Sequence, residues 1–228
     1  MPRRMPALLA LAALASLAAA AAGHGVPAPR FSAHVTNPWF SLPAGRVLVY
    51  RGMKDGKAAR EVMTVTHATK TIDGAPCVVV RDLLYLGGHL EERTQDWYSQ
   101  DAAGNVWYFG EATAELDEHG RVTSTEGSWR AGVGGARPGI FMPAHPLVGQ
   151  TARQEYLRGA AEDHFRVLSL HAPVSVPYVH TRNALLTEEW TPLEPGVLDH
   201  KLYVRGIGTV LEQTVKGGSE RNALVAVR

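Results

Sequence analysis

Six two-residue turn pairs punctuate this chain, and they constrain its fold more than any other feature. Asp55-Gly56, Asp73-Gly74, Gly87-Gly88, Gly104-Asn105, His119-Gly120 and Gly217-Gly218 supply residues that tolerate positive φ, as tight hairpins require. Between them, segments 60–70, 76–86, 90–100, 106–111 and 121–130 are rich in Val, Thr, Tyr and Trp, which fit a pleated surface. Segments 153–157, 163–170, 185–191, 198–204, 209–216 and 221–227 continue the pattern. The spacing predicts roughly ten to twelve strands in hairpin succession, and none of these segments keeps a helical period.

Alternation along the strands indicates curvature. Val62, Thr64 and Thr66 oppose Met63, Val65 and His67, so this strand has no purely polar side. Residues 78–86 are apolar on both sides, with Arg81 and Asp82 as exceptions. Strands covered on both faces belong to a curved or closed sheet. The expected fold is therefore all-β, an antiparallel meander curved into a half-barrel or closed barrel. Residues 131–149, with five glycines and three prolines around Ile140, Phe141 and Met142, read as a long loop acting as a lid. Residues 37–45, NPWFSLPAG, are expected to seal an open end with Trp39 and Phe40.

The first residues read as an export leader. Arg3 and Arg4 form a basic start, and residues 8–22 are an apolar run of mostly Leu and Ala that ends in small residues. Cleavage near Ala22 would leave a single β domain over 23–228, in the periplasm or outside the cell, with no integral membrane segment. The full chain has 23 basic and 22 acidic residues, and no basic cluster. Nucleic acid is thereby a poor partner, since it needs clustered positive charge. The single cysteine, Cys77, lies in the apolar run CVVV and reads as a buried core thiol.

The richest candidate site is the hairpin 91–111. Strict alternation puts Glu92, Thr94, Asp96, Tyr98 and Gln100 on one face of its first strand, with Trp97 on the other. On the second strand it groups Asn105, Trp107, Phe109 and Glu111. Aromatic rings beside carboxyls suit an amphipathic ligand, because rings supply area while polar groups fix orientation. The plainer alternative is cross-strand aromatic packing with solvated acids. Glu92, Asp96, Glu111, Glu126, Glu155, Glu162 and Asp163 also recur along the chain, and two of them at the right separation would make a glycosidase-like pair. The ten histidines, His164, His171, His180 and His200 among them, show no short ligand spacing. Ser128, in EGSW, lacks the downstream glycine of a nucleophile elbow. No cofactor, metal or catalytic residue is therefore expected.

Taken together, NPWF, QDWYSQDAAGNVWYFGE, EGSW and the closing YVRGIGTV resemble a family of exported bacterial β-rich proteins that has no assigned activity. The closing hairpin is more loosely similar to curved-sheet envelope proteins of the lipoprotein-carrier type, whose concave face holds acyl chains. This chain has no cysteine after its apolar run to serve as their lipid anchor. The expected function is non-catalytic binding of a hydrophobic or amphipathic ligand. Trp97, Trp107, Phe109 and Trp129 would line or rim the cavity, with Phe141 and Met142 on the lid and Asp96, Glu111 and Glu126 orienting a polar head. A hydrolase using the same carboxyls, or a structural protein recruiting a partner at a sheet edge, are the alternatives. Oligomeric state is left open.

Overall fold

The computed structural model describes residues 30–228, so the expected leader and its cleavage point lie outside the described residues. Sixteen strands and no helix occur among the described residues. They begin with β1 (Phe31–Ser32), β2 (Val47–Lys54), β3 (Lys57–Ile72), β4 (Ala75–Leu86), β5 (His89–Asp101) and β6 (Val106–Leu116). Short strands follow: β7 (Val122–Ser124), β8 (Trp129–Arg130), β9 (Arg137–Met142), β10 (Thr151–Arg153) and β11 (Glu155–Tyr156). The chain ends through β12 (His164–Ser175), β13 (His180–Trp190), β14 (Leu198–Val204), β15 (Gly208–Lys216) and β16 (Arg221–Val227).

The turn pairs do what their chemistry allows. Asp55-Gly56, with φ of 51° and 71°, joins β2 to β3, and Asp73-Gly74, at 46° and 78°, joins β3 to β4. Positive φ at both turn residues matches the right-handed twist of the flanking strands. Every pairing is antiparallel, and the order β12-β13-β14-β15-β16-β2-β3-β4-β5-β6-β9 runs around the molecule. A single stretch closes the circuit, because β10 pairs with β12 while β11, one residue further on, pairs with β9. The sheet is thus a barrel with one seam.

Three sequence expectations change in detail. β2 lies outside the segments that the Val/Thr/aromatic pattern picks out, although the Asp55-Gly56 turn implies a strand before it. Segment 121–130 is broken into β7 and β8 by a turn at Glu126-Gly127. The 131–149 stretch is not loop throughout, because β9 occupies its middle and pairs with β6 and β11. Gly139 explains why: a Cβ there would meet the Arg153 carbonyl oxygen at 2.3 Å, so only glycine lets the seam cross β9 this closely. Phe141 and Met142 therefore belong to the barrel wall rather than to a lid.

Two apolar clusters hold the barrel. One gathers Trp39, Phe40, Val80, Trp97, Phe109, Phe165 and Tyr203, and the other Leu48, Tyr50, Val174, Val176, Leu202 and Leu224. Met63 packs against both. Burying each large side chain contributes about 1.5–3 kcal/mol. Cys77 is fully buried in the first cluster, and burial pushes its thiol up to about 12, which makes it an inert core residue.

Segment 37–45 seals one end as expected. The buried Asn37 donates from Nδ2 to the Gly104 and Pro143 carbonyls, each at 3.0 Å, and its Oδ1 accepts from Trp39 N at 2.9 Å. This pins the segment across the β5–β6 turn and the end of β9. Phe40 then meets Phe141 at 4.5 Å and Tyr98 at 5.2 Å between ring centroids, and Arg205 lies 4.2 Å over the Trp39 ring.

Candidate functional site

The barrel holds a half-open cavity of about 350 Å3 beside Phe40. Period-two alternation delivers most of its wall. β5 contributes Glu92, Thr94, Asp96 and Tyr98, as strict alternation predicts. The neighbouring strands add Asp82 and Leu84 from β4, Glu61 and Met63 from β3, and Tyr50 and Lys54 from β2. From the far side come Lys201 of β14, Glu212 of β15 and Asn222 of β16, while the seam brings Gln154, Glu155 and Asp163. The wall thus carries eight carboxyl groups, two lysines and five aromatic rings.

On β6 alternation fails, for a local reason. The pairs Asp96↔Glu111 and Tyr98↔Tyr108 leave one residue on β5 opposite two on β6, so Phe109-Gly110 form a bulge. Tyr108 and Glu111 consequently share the cavity face, and Trp107 and Phe109 turn away from it. Gly110 is required here. Its φ is +132°, and a Cβ would lie 2.4 Å from the Trp129 carbonyl oxygen.

The sequence-predicted residues therefore divide. Asp96, Glu111 and Phe141 line the cavity. Trp129 stands behind it, its Nε1 donating to Glu155 Oε2 at 2.7 Å and its ring edge-on to Tyr108 at 5.4 Å. Trp97, on the opposite face of β5 from Asp96, lies buried under Lys70, whose ammonium is 3.8 Å from its ring centre. Trp107 donates from Nε1 to Asp101 Oδ2 at 2.8 Å, and Phe109 packs on Phe31 at 5.1 Å. Met142 is buried in the first apolar cluster. Glu126 is exposed in the β7–β8 turn, far from the role of orienting a polar head. Ser128 is a strap, its Oγ donating to the Thr113 carbonyl at 3.1 Å and accepting from Thr113 N at 3.0 Å.

Sequence reasoning missed Tyr50, Lys54, Glu61, Lys201 and Glu212, which barrel closure brings in from four other strands. It also noted Asp82 only as an exception in an apolar strand. A lone acid among inward-facing apolar residues was the available signal, since such a group must find a partner or a cavity.

Crowding and burial shape the electrostatics. Burial pushes Asp96 up to about 7 even though Tyr108 donates to its Oδ1 at 2.6 Å. Glu111, its cross-strand partner, is pushed to about 9 by burial and by Asp96 and Glu155. Burial and then Asp163 take Glu155 to about 8. Burial also raises Glu61 and Asp82, and the Glu61 charge adds to the rise at Asp82. Glu212 rises to about 7 by burial, against the pull of Lys201. For Lys201 burial works against the charge, but Glu189 at 3.0 Å and Glu212 at 3.4 Å outweigh it and hold the ammonium well above its ordinary value. Near neutral pH the wall can both donate from protonated carboxyls and accept at ionised ones.

The aromatic side is continuous. Tyr98 stacks on Tyr108 at 4.8 Å, and Phe141 meets both rings, at 5.1 and 6.0 Å. Acids are interleaved with these rings, since Asp96 and Tyr98 share a face of β5 and Tyr108 and Glu111 share the cavity face of β6. Among the described residues no group of three His, Cys, Asp or Glu side chains is placed to hold a metal ion.

No family model matches the sequence, and no curated protein matches it. Among solved structures, the chain is similar to one from Bacteroides fragilis named as an exported protein with a YmcC-like fold. Identity is 14%, the likeness covers 85% of this chain and all of the other, and the TM-score is 0.48. A lipoprotein structure from Parabacteroides distasonis is similar at 8% identity over 84% of this chain and 99% of the other, with a TM-score of 0.45. Likeness at this level carries no argument about activity, and the all-β barrel rests on the strand pairing itself.

Proposed function

We propose that this chain is an exported protein that binds a small amphipathic ligand in the barrel cavity without transforming it. Export rests on Arg3, Arg4 and the apolar run 8–22. The observation that carries ligand binding is the cavity itself, about 350 Å3 and lined by stacked rings and eight carboxyl groups. Small-molecule sites begin at roughly 300 Å3 and combine apolar area with a few orienting polar groups. A purely hydrophobic ligand fits this wall poorly, since it would strip water from the acids and return no hydrogen bond.

Native mass spectrometry of protein purified gently from a periplasmic extract tests the reading. The expected result is a small organic adduct that is lost on denaturation and weakened in Phe141→Ala. A clean unliganded mass, together with no binding of any amphipathic probe in solution, would sink it.

One observation favours hydrolysis as a second reading. Asp96 and Glu111 face each other across β5 and β6, and between about 7 and about 9 the first is ionised while the second stays protonated. That division suits an acid–base pair. Turnover of a glycoside that vanishes in a folded Glu111→Gln variant would transfer the assignment to an enzyme.

A further inference from the structure

Two buried acceptors in the cavity wall have no donor among the described residues. They are Asp82 Oδ1 and Asn222 Oδ1, on opposite sides of the β2–β3 pair in the sheet order. Both side chains meet Glu61: Asn222 Nδ2 donates to Glu61 Oε2, and the Asp82 carboxyl lies beside it. The two empty acceptors therefore flank one carboxyl group. A buried acceptor left without a donor is destabilising, so a donor supplied by a ligand recovers that loss.

Charge narrows the kind of donor. Of the two lysines in the wall, Lys201 is engaged by Glu189 and Glu212, and Lys54 sits 3.5 Å from the half-exposed Glu220. Among the described residues no cation lies within ion-pair distance of Glu61 or Asp82, although Lys201 acts on Glu61 from further away. A neutral hydroxyl offers one donor to the two acceptors and leaves the carboxyl pair protonated. An ammonium supplies three N–H donors, and its charge is balanced when the pair gives up a proton. With no three metal-ligating side chains converging among the described residues, an organic cation fits better than a metal ion. Access exists as well: a smaller recess of about 150 Å3 shares Lys54, Glu61 and Asn222 with the cavity and reaches the exposed Met53 and Arg221.

We propose that the polar end of the ligand is a primary ammonium seated on Glu61, Asp82 and Asn222, with its apolar body on the Tyr98–Tyr108–Phe141 rings. This rests on the cavity being a ligand site, as proposed above. The test is calorimetric titration of the purified chain with phenethylammonium, its neutral counterpart 2-phenylethanol, and calcium chloride.

The ammonium is expected to bind about tenfold tighter than the alcohol, a difference in line with a charge-assisted hydrogen bond. Asp82→Asn and Asn222→Ala should each remove that advantage and leave the alcohol unchanged. Asn222 is only half-buried, so its variant carries the test if Asp82→Asn does not fold. Equal binding of amine and alcohol would overturn the ammonium assignment while keeping the cavity as a site. Calcium that displaces the amine would overturn it in favour of a metal. Binding of neither organic probe would overturn the cavity reading as well.

Discussion

Asp96 and Asp101 stand five residues apart on the same strand, and the barrel treats them in opposite ways. Asp101, at the tip of the β5–β6 hairpin, accepts from Ala103 N, Asn105 N, Asn105 Nδ2 and Trp107 Nε1 at 2.8–2.9 Å. Burial opposes its charge, but these donors outweigh it and hold the carboxyl below its ordinary range. Asp96, in the middle of the strand, has one hydroxyl donor, several acid neighbours, and a pKa raised to about 7. N–H donors, not depth alone, decide which acid serves the fold and which is left available. The tip is a satisfied structural knot, and the cavity is an unsatisfied one. The bulge at Phe109-Gly110 separates the two halves of the hairpin.

The variant that breaks this division most severely is Gly110→Ala. Its Cβ has no room against the Trp129 carbonyl, so we expect about 3–5 kcal/mol lost in urea denaturation and a changed near-ultraviolet dichroism from the displaced rings. Asp101→Ala attacks the tip alone. Losing four charge-assisted bonds and stranding the Trp107 N–H should cost about 2–3 kcal/mol, with any cavity ligand still bound.

Titration sharpens the contrast because the two halves have opposite signs. Asp96, Glu111 and Glu155 hold their protons more tightly folded than unfolded. Their contribution is full below the unfolded carboxylate value of ~4 and is lost as pH rises through about 7 to about 9. The unfolding free energy should therefore fall by several kcal/mol between pH ~4 and about 9, and Glu111→Gln should flatten the fall. A stability that rises from pH 5 to 9 would contradict the cavity electrostatics. Asp101 behaves the other way, its contribution present above the ordinary carboxylate range and lost as pH falls through its lowered folded value. At the small end, Glu126→Ala should change stability by less than about 0.5 kcal/mol and leave binding untouched.

How much of this could be read from the chain depends on distance along it. The turns at Asp55-Gly56 and Asp73-Gly74, and the face shared by Glu92, Thr94, Asp96 and Tyr98, follow from local chemistry and a period of two. The face of Trp107 and Phe109 was misjudged because one glycine inside a strand shifted the count, and Gly110 itself was the visible warning. Lys201, Glu212 and Asn222 were out of reach, since nothing in their own strands says that closure will set them against Glu61. For the same reason the site is legible as a hairpin but not as a cavity.

The pairing of β16 with β2 has a kinetic consequence. Arg228 and Val47 exchange two backbone hydrogen bonds of 2.9 Å, and Ala223 lies opposite Arg51. Strands from opposite ends of the described chain are thus neighbours, and the wall holding Tyr50, Glu61 and Asn222 forms only after both are present. Loop closure over such separations is slow, and local contacts offer little reward beforehand. Half a barrel would expose the edges of β2 and β16 and leave the cavity unwalled. A chain built this way gains its cavity in one late folding step.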